Sequence, residues 1–215
     1  MFFKMVKMGI NLSNVGMEKG KQYETIVSTI DVNSNKNAAP IGIICLGRDK
    51  VLCRIFKGGK TLDNILSKKE FIINITHDSE LFFKTTIGNL SENDFNDDLS
   101  IKNVDAYAKC KVINFKKAIK QSDPVKKNGE AIVIKSEVTD LIVNNETFAL
   151  NRGFGYVIES LNNLTRFDFY NDKQKEEYIQ NFKEAKRIVS KVGYKRDIEA
   201  MNIIKKELIK KGYKP

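Results

Sequence analysis

Arg54, Lys57, Lys60 and Thr61 stand within eight residues of one another, around the pair Gly58-Gly59. Cations, a hydroxyl and a flexible turn ahead of a helix are the means by which a chain holds a phosphate. A helix N-terminus offers free N–H groups and a partial positive charge, and nearby cations and a threonine add further donors. The helix is marked by Leu62, Ile65 and Leu66, which share one face of Thr61–Ser67. The segment overlaps the P-loop pattern G-x-x-x-x-G-K-[ST] through Gly59-Lys60-Thr61, but Arg54 stands where that pattern begins with glycine. No parallel βαβ pattern surrounds it and no acidic strand-end residue is placed for magnesium, which excludes nucleoside triphosphate hydrolysis. A structural reading stays open, in which Gly58-Gly59 only turns the chain and Thr61 only caps the helix.

A second stretch, Asn37-Ala38-Ala39-Pro40-Ile41-Gly42, opens a strand with small side chains. Such residues let a flat, ring-shaped ligand lie close to the backbone. Pro40 removes a donor, which is tolerated at a strand start or edge. A loop that simply enters a strand has the same letters. Cys45, Cys53 and Cys110 form no Cys-x-x-Cys pair and His77 is the single histidine, so a zinc site is not expected and the cysteines read as buried small hydrophobes.

The elements around these stretches are short β-type runs: Tyr23–Ile30, Ile41–Leu46, Val51–Phe56, Phe71–Thr76, Asp105–Phe115 and Ala131–Val143. Asn33–Lys36 and Gly47–Lys50 read as turns, Ser91–Leu99 as a loop or short irregular helix, and Gln121–Gly129 as a loop carrying Pro124. Six uneven strands with one short helix fit a small barrel, whose antiparallel closure removes exposed edges. After Asn151 the spacing becomes helical. Phe154, Val157, Ile158, Leu161 and Leu164 share one face; Tyr178, Phe182, Ala185, Ile188, Val189 and Val192 share another, with Asn171 or Asp172 as cap and Gly193 as end; Ile198, Met201, Ile204, Leu208 and Ile209 form a third, ended by Gly212. The expected organisation is an N-terminal extension over 1–20, a barrel over 21–147 and a helical domain over 148–215. The fold class is mainly β (α+β), a barrel followed by a small three-helix C-terminal module.

The chain has 215 residues, 41% hydrophobic and 30% charged, with no apolar run near the roughly 20 residues of a membrane helix. Met1–Ile10 is too broken for a signal peptide, so a cytoplasmic location is expected; the start codon is open among Met1, Met5 and Met8. The formal charge of +10 invites a nucleic-acid reading, yet lysines are spread through every segment among Asp and Glu, and no reader motif appears.

Tyr23–Thr29, Asn37–Gly42, Arg54–Thr61 and Phe71–Asp78, in this order and spacing, resemble the flavin reductase-like FMN-binding split-barrel superfamily. The likeness is to its uncharacterised archaeal branch with a helical C-terminal part, where Asn151-Arg152-Gly153-Phe154-Gly155 also fits. The resemblance implies a homodimer with one FMN per subunit near the interface. It implies a phosphate on Arg54, Lys57, Gly58, Gly59, Lys60 and Thr61, and a ring along Asn37, Ala38, Ala39, Pro40, Ile41 and Gly42. Asn74 and Thr76 would contact the ring or ribityl chain, and Arg152 would lie near the phosphate or interface or else only pack or cap. At Lys57-Gly58-Gly59 the chain departs from the family pattern, which has an acidic residue, a glycine and a serine. The implied activity is hydride or electron transfer between FMN and a partner, with NAD(P)H held transiently because no Gly-x-Gly-x-x-Gly fingerprint exists. Two other classes compete: a non-catalytic flavin carrier or sensor working through a protein partner, and a nucleic-acid-binding β-barrel.

Overall fold

Alternation of side chains across a strand dictates the first half of the molecule. In β1 (Gln22–Ile30), Tyr23 and Val27 face the main core, while Ile26 faces a second cluster with Ala38, Phe95, Ile101 and Val104. Both faces are buried from Thr25 to Thr29, so the polar side chains of Thr25, Ser28 and Thr29 are enclosed along with the apolar ones. The computed structural model describes residues 10–88, 90–120 and 129–215. Around β1 it places β2 (Lys36–Cys45), β3 (Lys50–Phe56), β4 (Glu70–Ile75), β5 (Ala106–Lys120) and β6 (Gly129–Val143). They close into an antiparallel barrel in the order β1-β2-β3-β6-β5-β4. Tyr23, Val27, Ile43, Val51, Ile55, Phe71, Ile73, Ile75 and Ile134 fill it. Cys45, Cys53 and Cys110 are free thiols in the same core, and burial pushes the Cys53 thiol up to about 12.

Helix α1 (Lys60–Lys68) follows β3 and sends Leu62 and Ile65 into the barrel core, while its polar residues Lys60, Asp63 and Ser67 stay exposed. Helix α2 (Ser79–Ile87) has no counterpart in the sequence reading. Asp78 caps it by accepting from the Glu80 and Leu81 amides, but only Thr85 is buried, so no apolar stripe announces it. The Asn- and Asp-rich stretch after it contains one turn of 3₁₀ helix at Glu92–Asp94.

Three boundaries differ from expectation. Strand β2 begins at Lys36, five residues before the first expected position, because the cross-strand ladder to β1 extends as far as Ile30↔Lys36. Strands β5 and β6 run on to Lys120 and back from Gly129 as a two-stranded arm, in which exposed lysines hide the β pattern. The expected loop at 121–128 and the segment 1–9 lie outside the described residues. The extension expected over 1–20 is, from residue 11 onward, part of the barrel. Leu12–Val15 forms a 3₁₀ turn capped by Asn11, and Leu12, Val15 and Met17 are buried in the main core. Bonds from Leu12 N to Arg48 O and from Ala149 N to Val15 O tie it in, and the Tyr23 hydroxyl donates to Gly16 O. A four-residue turn is too short to show periodicity, which is why the sequence concealed it.

The chain divides into two compact units, Met1–Leu150 and Asn151–Pro215. The second holds α3 (Gly153–Arg166), α4 (Asp172–Val192) and α5 (Lys195–Lys210) around Val157, Phe167, Tyr178, Phe182, Val189, Met201, Ile204 and Leu208. Asn171 caps α4 in a reciprocal box with Gln174. Asn151 locks the start of α3 to the end of α4: its amide donates to Val192 O at 2.8 Å and its oxygen accepts from Gly153 N at 2.8 Å. The backbones meet so closely that a Cβ on Gly153 would lie 2.7 Å from the Gly193 Cα, which requires glycine at that crossing.

Candidate functional site

The barrel is not evenly laced. Strand β2 is paired with β1 along its whole length, Lys36 to Ile44 at least, but with β3 only at Ile43, Ile44 and Cys45. On its other side β3 is paired with β6 from Lys50 to Phe56. From Lys36 to Gly42, therefore, β2 has a ladder on one edge only, which leaves an unlaced gap between it and Arg54–Phe56. Unpaired strand edges carry alternating N–H and C=O groups ready to bond a partner. Among the described residues, the side-chain bond to this backbone is Thr25 Oγ1 to Ile41 O at 2.9 Å.

Beyond Phe56, at the end of β3, the chain turns through Lys57-Gly58-Gly59 and enters α1. Gly58 has φ +99°, a left-handed conformation that favours glycine, and a Cβ placed on either glycine would meet nothing within 4 Å. Gly59 is the N-cap of α1 without a side-chain cap bond. The first amides bonded back are Leu62 and Asp63, both to Gly59 O, at 3.1 and 3.4 Å. The amides of Gly58, Gly59, Lys60 and Thr61 thus have no acceptor among the described residues, and the space beside Gly58 and Gly59 is open. Four consecutive free donors at the positive end of a helix form a site for an anion. Arg54 and Lys60 are exposed and make no ion pair among the described residues. Lys57 is engaged differently: it ion-pairs with Glu130, whose carboxyl is held below its usual range by that bond.

The cradle and the open strand edge are joined underneath. The Asn37 amide donates to Thr61 Oγ1 at 2.9 Å and to Thr29 Oγ1 at 3.4 Å, and the Asn64 amide donates to Thr29 Oγ1 at 3.1 Å. Thr29, Asn64 and Thr61 are buried and Asn37 is half-buried. Thr29 and Asn64 had no part in the sequence reading. The signal for Asn64 was available: an amide one turn after Thr61 lies between Leu62 and Ile65 on the apolar side of α1.

The remaining expected residues divide. Ala38 is packed into the second cluster, Ala39 is half-buried, Pro40 is exposed, and a Cβ on Gly42 would meet Gln22 Nε2 at 2.5 Å. A ligand along Pro40–Gly42 therefore lies beside the Gln22 side chain. Asn74 and Thr76 are both engaged within the fold. At 0% exposure Asn74 donates to Ile26 O (3.0 Å) and Ser28 Oγ (2.9 Å) and accepts from Ile101 N (2.9 Å), so its bonding capacity serves the fold. Thr76 is buried and accepts from Asp78 N in the turn before α2. Arg152 is the N-cap residue of α3 in the second unit, where its charge adds to that of Arg187 in lowering the Glu184 carboxyl. Two cavities of about 430 and 550 Å³ lie elsewhere on the first unit, about Phe71–Lys109 and Phe95–Tyr107; neither includes the cradle.

The arrangement suits a ligand with a phosphate at one end and, at the other, a flat ring bearing adjacent donors and acceptors. Relatives have been found along nearly the whole chain. An uncharacterized protein of Methanocaldococcus jannaschii is 25% identical over 187 residues, 85% of this chain and 96% of that one. The crystal structure of an FMN-bound protein from Methanosarcina mazei, of the DUF447 family, is 27% identical with a TM-score of 0.51, covering 91% of this chain and 99% of that one. A native-state flavin reductase, PheA2, is 21% identical with a TM-score of 0.44 over 59% of this chain and 83% of its own. The DUF447 N-terminal domain, a protein of unknown function, matches residues 23–145, and the DUF447 C-terminal part matches 151–206. A barrel laced in this way and followed by these helices thus belongs, with its Methanosarcina relative, to the DUF447 family.

Proposed function

We propose that this chain is an FMN-binding flavin reductase-like protein that carries the flavin in the gap between β2 and β3. The observation that carries the reading is the pairing of four free amides at Gly58–Thr61 with the unlaced edge of β2 at Lys36–Gly42. The first fits the phosphate of FMN, with Arg54 and Lys60 as counter-charges. The second fits the pyrimidine side of an isoalloxazine ring, whose N–H and C=O groups match those of a strand edge. The FMN-bound Methanosarcina relative supports FMN as the ligand.

When bound, FMN supplies hydride and electron transfer. The chain's own residues hold and tune it. The α1 N-terminus, Arg54 and Lys60 bind the dianionic phosphate, and the backbone of Ala39–Gly42 orients the ring and offers N–H groups toward negative charge on it. Arg152, the N-cap residue of α3 in the second unit, makes no side-chain cap bond and is retained as a packing side chain. Nicotinamide, as NAD(P)H, would lie transiently against the exposed side of the gap near Pro40. A second copy of the chain packed next to the gap, leaving that side open, would complete the site as a homodimer, a state that sedimentation reads directly. Among the described residues no helix is long and apolar enough to cross a membrane.

The test is the visible spectrum of the purified protein and its titration with FMN. A yellow protein, or uptake of FMN at micromolar concentration, is the expected result; a colourless protein that refuses FMN ends the proposal. Lys60→Ala with Thr61→Ala should weaken FMN by at least about tenfold through loss of a charged partner and a hydroxyl. Unchanged affinity would move the phosphate away from α1.

A further inference from the structure

We infer that Asn37 is a positioning residue for the phosphate: by donating to Thr61 Oγ1 it fixes the direction of that hydroxyl, leaving its hydrogen for the ligand. This rests on the FMN reading above. An amide nitrogen can only donate, so along the 2.9 Å contact Thr61 is the acceptor. A threonine hydroxyl has one hydrogen to give, and among the described residues nothing accepts it from Thr61. Its neighbours in the cradle, the amides of Gly58, Gly59 and Lys60, are donors as well. Every group at the α1 N-terminus is therefore turned to give a hydrogen bond, and the ligand must bring the acceptors.

Asn37 is itself held. Its second N–H goes to Thr29 Oγ1, which also receives the Asn64 amide, and Thr29 has no exposed surface. The amide is thereby fixed between β1 and α1, and the bonds join the second residue pair of the open strand edge, Thr29↔Asn37, to the phosphate cradle. An aspartate of the same shape would reverse this. Its carboxylate only accepts, so the Thr61 hydrogen would turn toward it and away from the ligand, and a negative charge would sit beside the phosphate.

The experiment titrates wild type, Asn37→Asp and Asn37→Ala with FMN and with riboflavin, which has the ring and not the phosphate, by flavin fluorescence. The quantity read is the ratio of the riboflavin Kd to the FMN Kd. Asn37→Asp is expected to lower that ratio by at least about tenfold, the size of a lost charge-assisted bond, with the riboflavin Kd moving less than about threefold. Asn37→Ala lowers it less, in the same direction, and serves alone if the aspartate variant does not fold. Adding Thr61→Val to Asn37→Asp should cost no more, since the hydroxyl is already turned away. A wild type that prefers FMN together with Asn37 variants that prefer it equally overturns the inference and leaves the flavin reading intact. So does a loss of FMN and riboflavin in equal proportion, which would place Asn37 against the ring. A wild type that binds neither flavin refutes the flavin reading, and the inference with it.

Discussion

Replacing Asn74 by alanine separates the two roles that its position at a strand end permits. The side chain makes three bonds at 0% exposure, to Ile26 O, Ser28 Oγ and Ile101 N. Truncation leaves the Ile26 carbonyl and the Ile101 amide buried without that partner, at about 1–3 kcal/mol each. Ser28 loses less, because its hydroxyl still donates to Leu99 O at 2.7 Å. The sum is roughly 3–5 kcal/mol, a large part of the roughly 5–15 kcal/mol that stabilises a domain. For a unit of this size the melting temperature should fall by roughly 6–20 °C. Thermal and urea unfolding followed by circular dichroism give the stability. An FMN titration well below the melting point should return a Kd within about threefold of wild type. A stability loss under about 1 kcal/mol, or a folded variant that loses FMN more than about tenfold, would refute the assignment of Asn74 to the fold.

Two further outcomes follow from the charges. Glu130→Gln releases Lys57 from its ion pair beside the cradle, so FMN should bind more tightly, and more so at low ionic strength; weaker binding in titrations at low and high salt would mean the pair positions the turn. Burial pushes the Asp98 carboxyl up, but donors from the Ser100 hydroxyl (2.6 Å), Lys109 (2.9 Å) and the Ser100 amide (3.1 Å) overcome this and bring it to about 2. A carboxyl lowered on folding adds stability above its unfolded value near about 4, and that contribution disappears as pH falls toward 2. Asp98→Asn should therefore destabilise the barrel at pH 7 and converge with wild type on acidification. Urea midpoints that differ by the same amount at pH 7 and pH 2.5 would contradict it.

Much of this was legible because the informative features are local. Gly58-Gly59 before Lys60-Thr61 and the stripe Leu62, Ile65 and Leu66 belong to one turn and one helix, and the helical faces of α4 and α5 repeat over many residues. What failed was non-local. Whether Asn74 meets a ligand or the loop at Ile101 depends on a partner 27 residues away. The pairing of Lys57 with Glu130 depends on a strand formed 73 residues later, which turns an apparent phosphate ligand into half of an ion pair. The gap itself is a property of register: β2 reads as an ordinary strand until one sees that β3 leaves it after Ile43.

That lacing also governs how the chain is made. Strand β3 takes its long ladder from β6, where Phe56 meets Ala131 and Lys50 meets Glu137. At a synthesis rate of about 5–20 residues per second, the 74 residues between Phe56 and Ala131 take roughly 4–15 s to emerge. During that interval β3 waits with a bare edge, the condition in which nascent strands stick to one another. On its outward face Lys50 and Arg54 are charged and exposed beside the exposed Phe56, and cations on a waiting strand disfavour edge-to-edge pairing with other copies until β6 arrives.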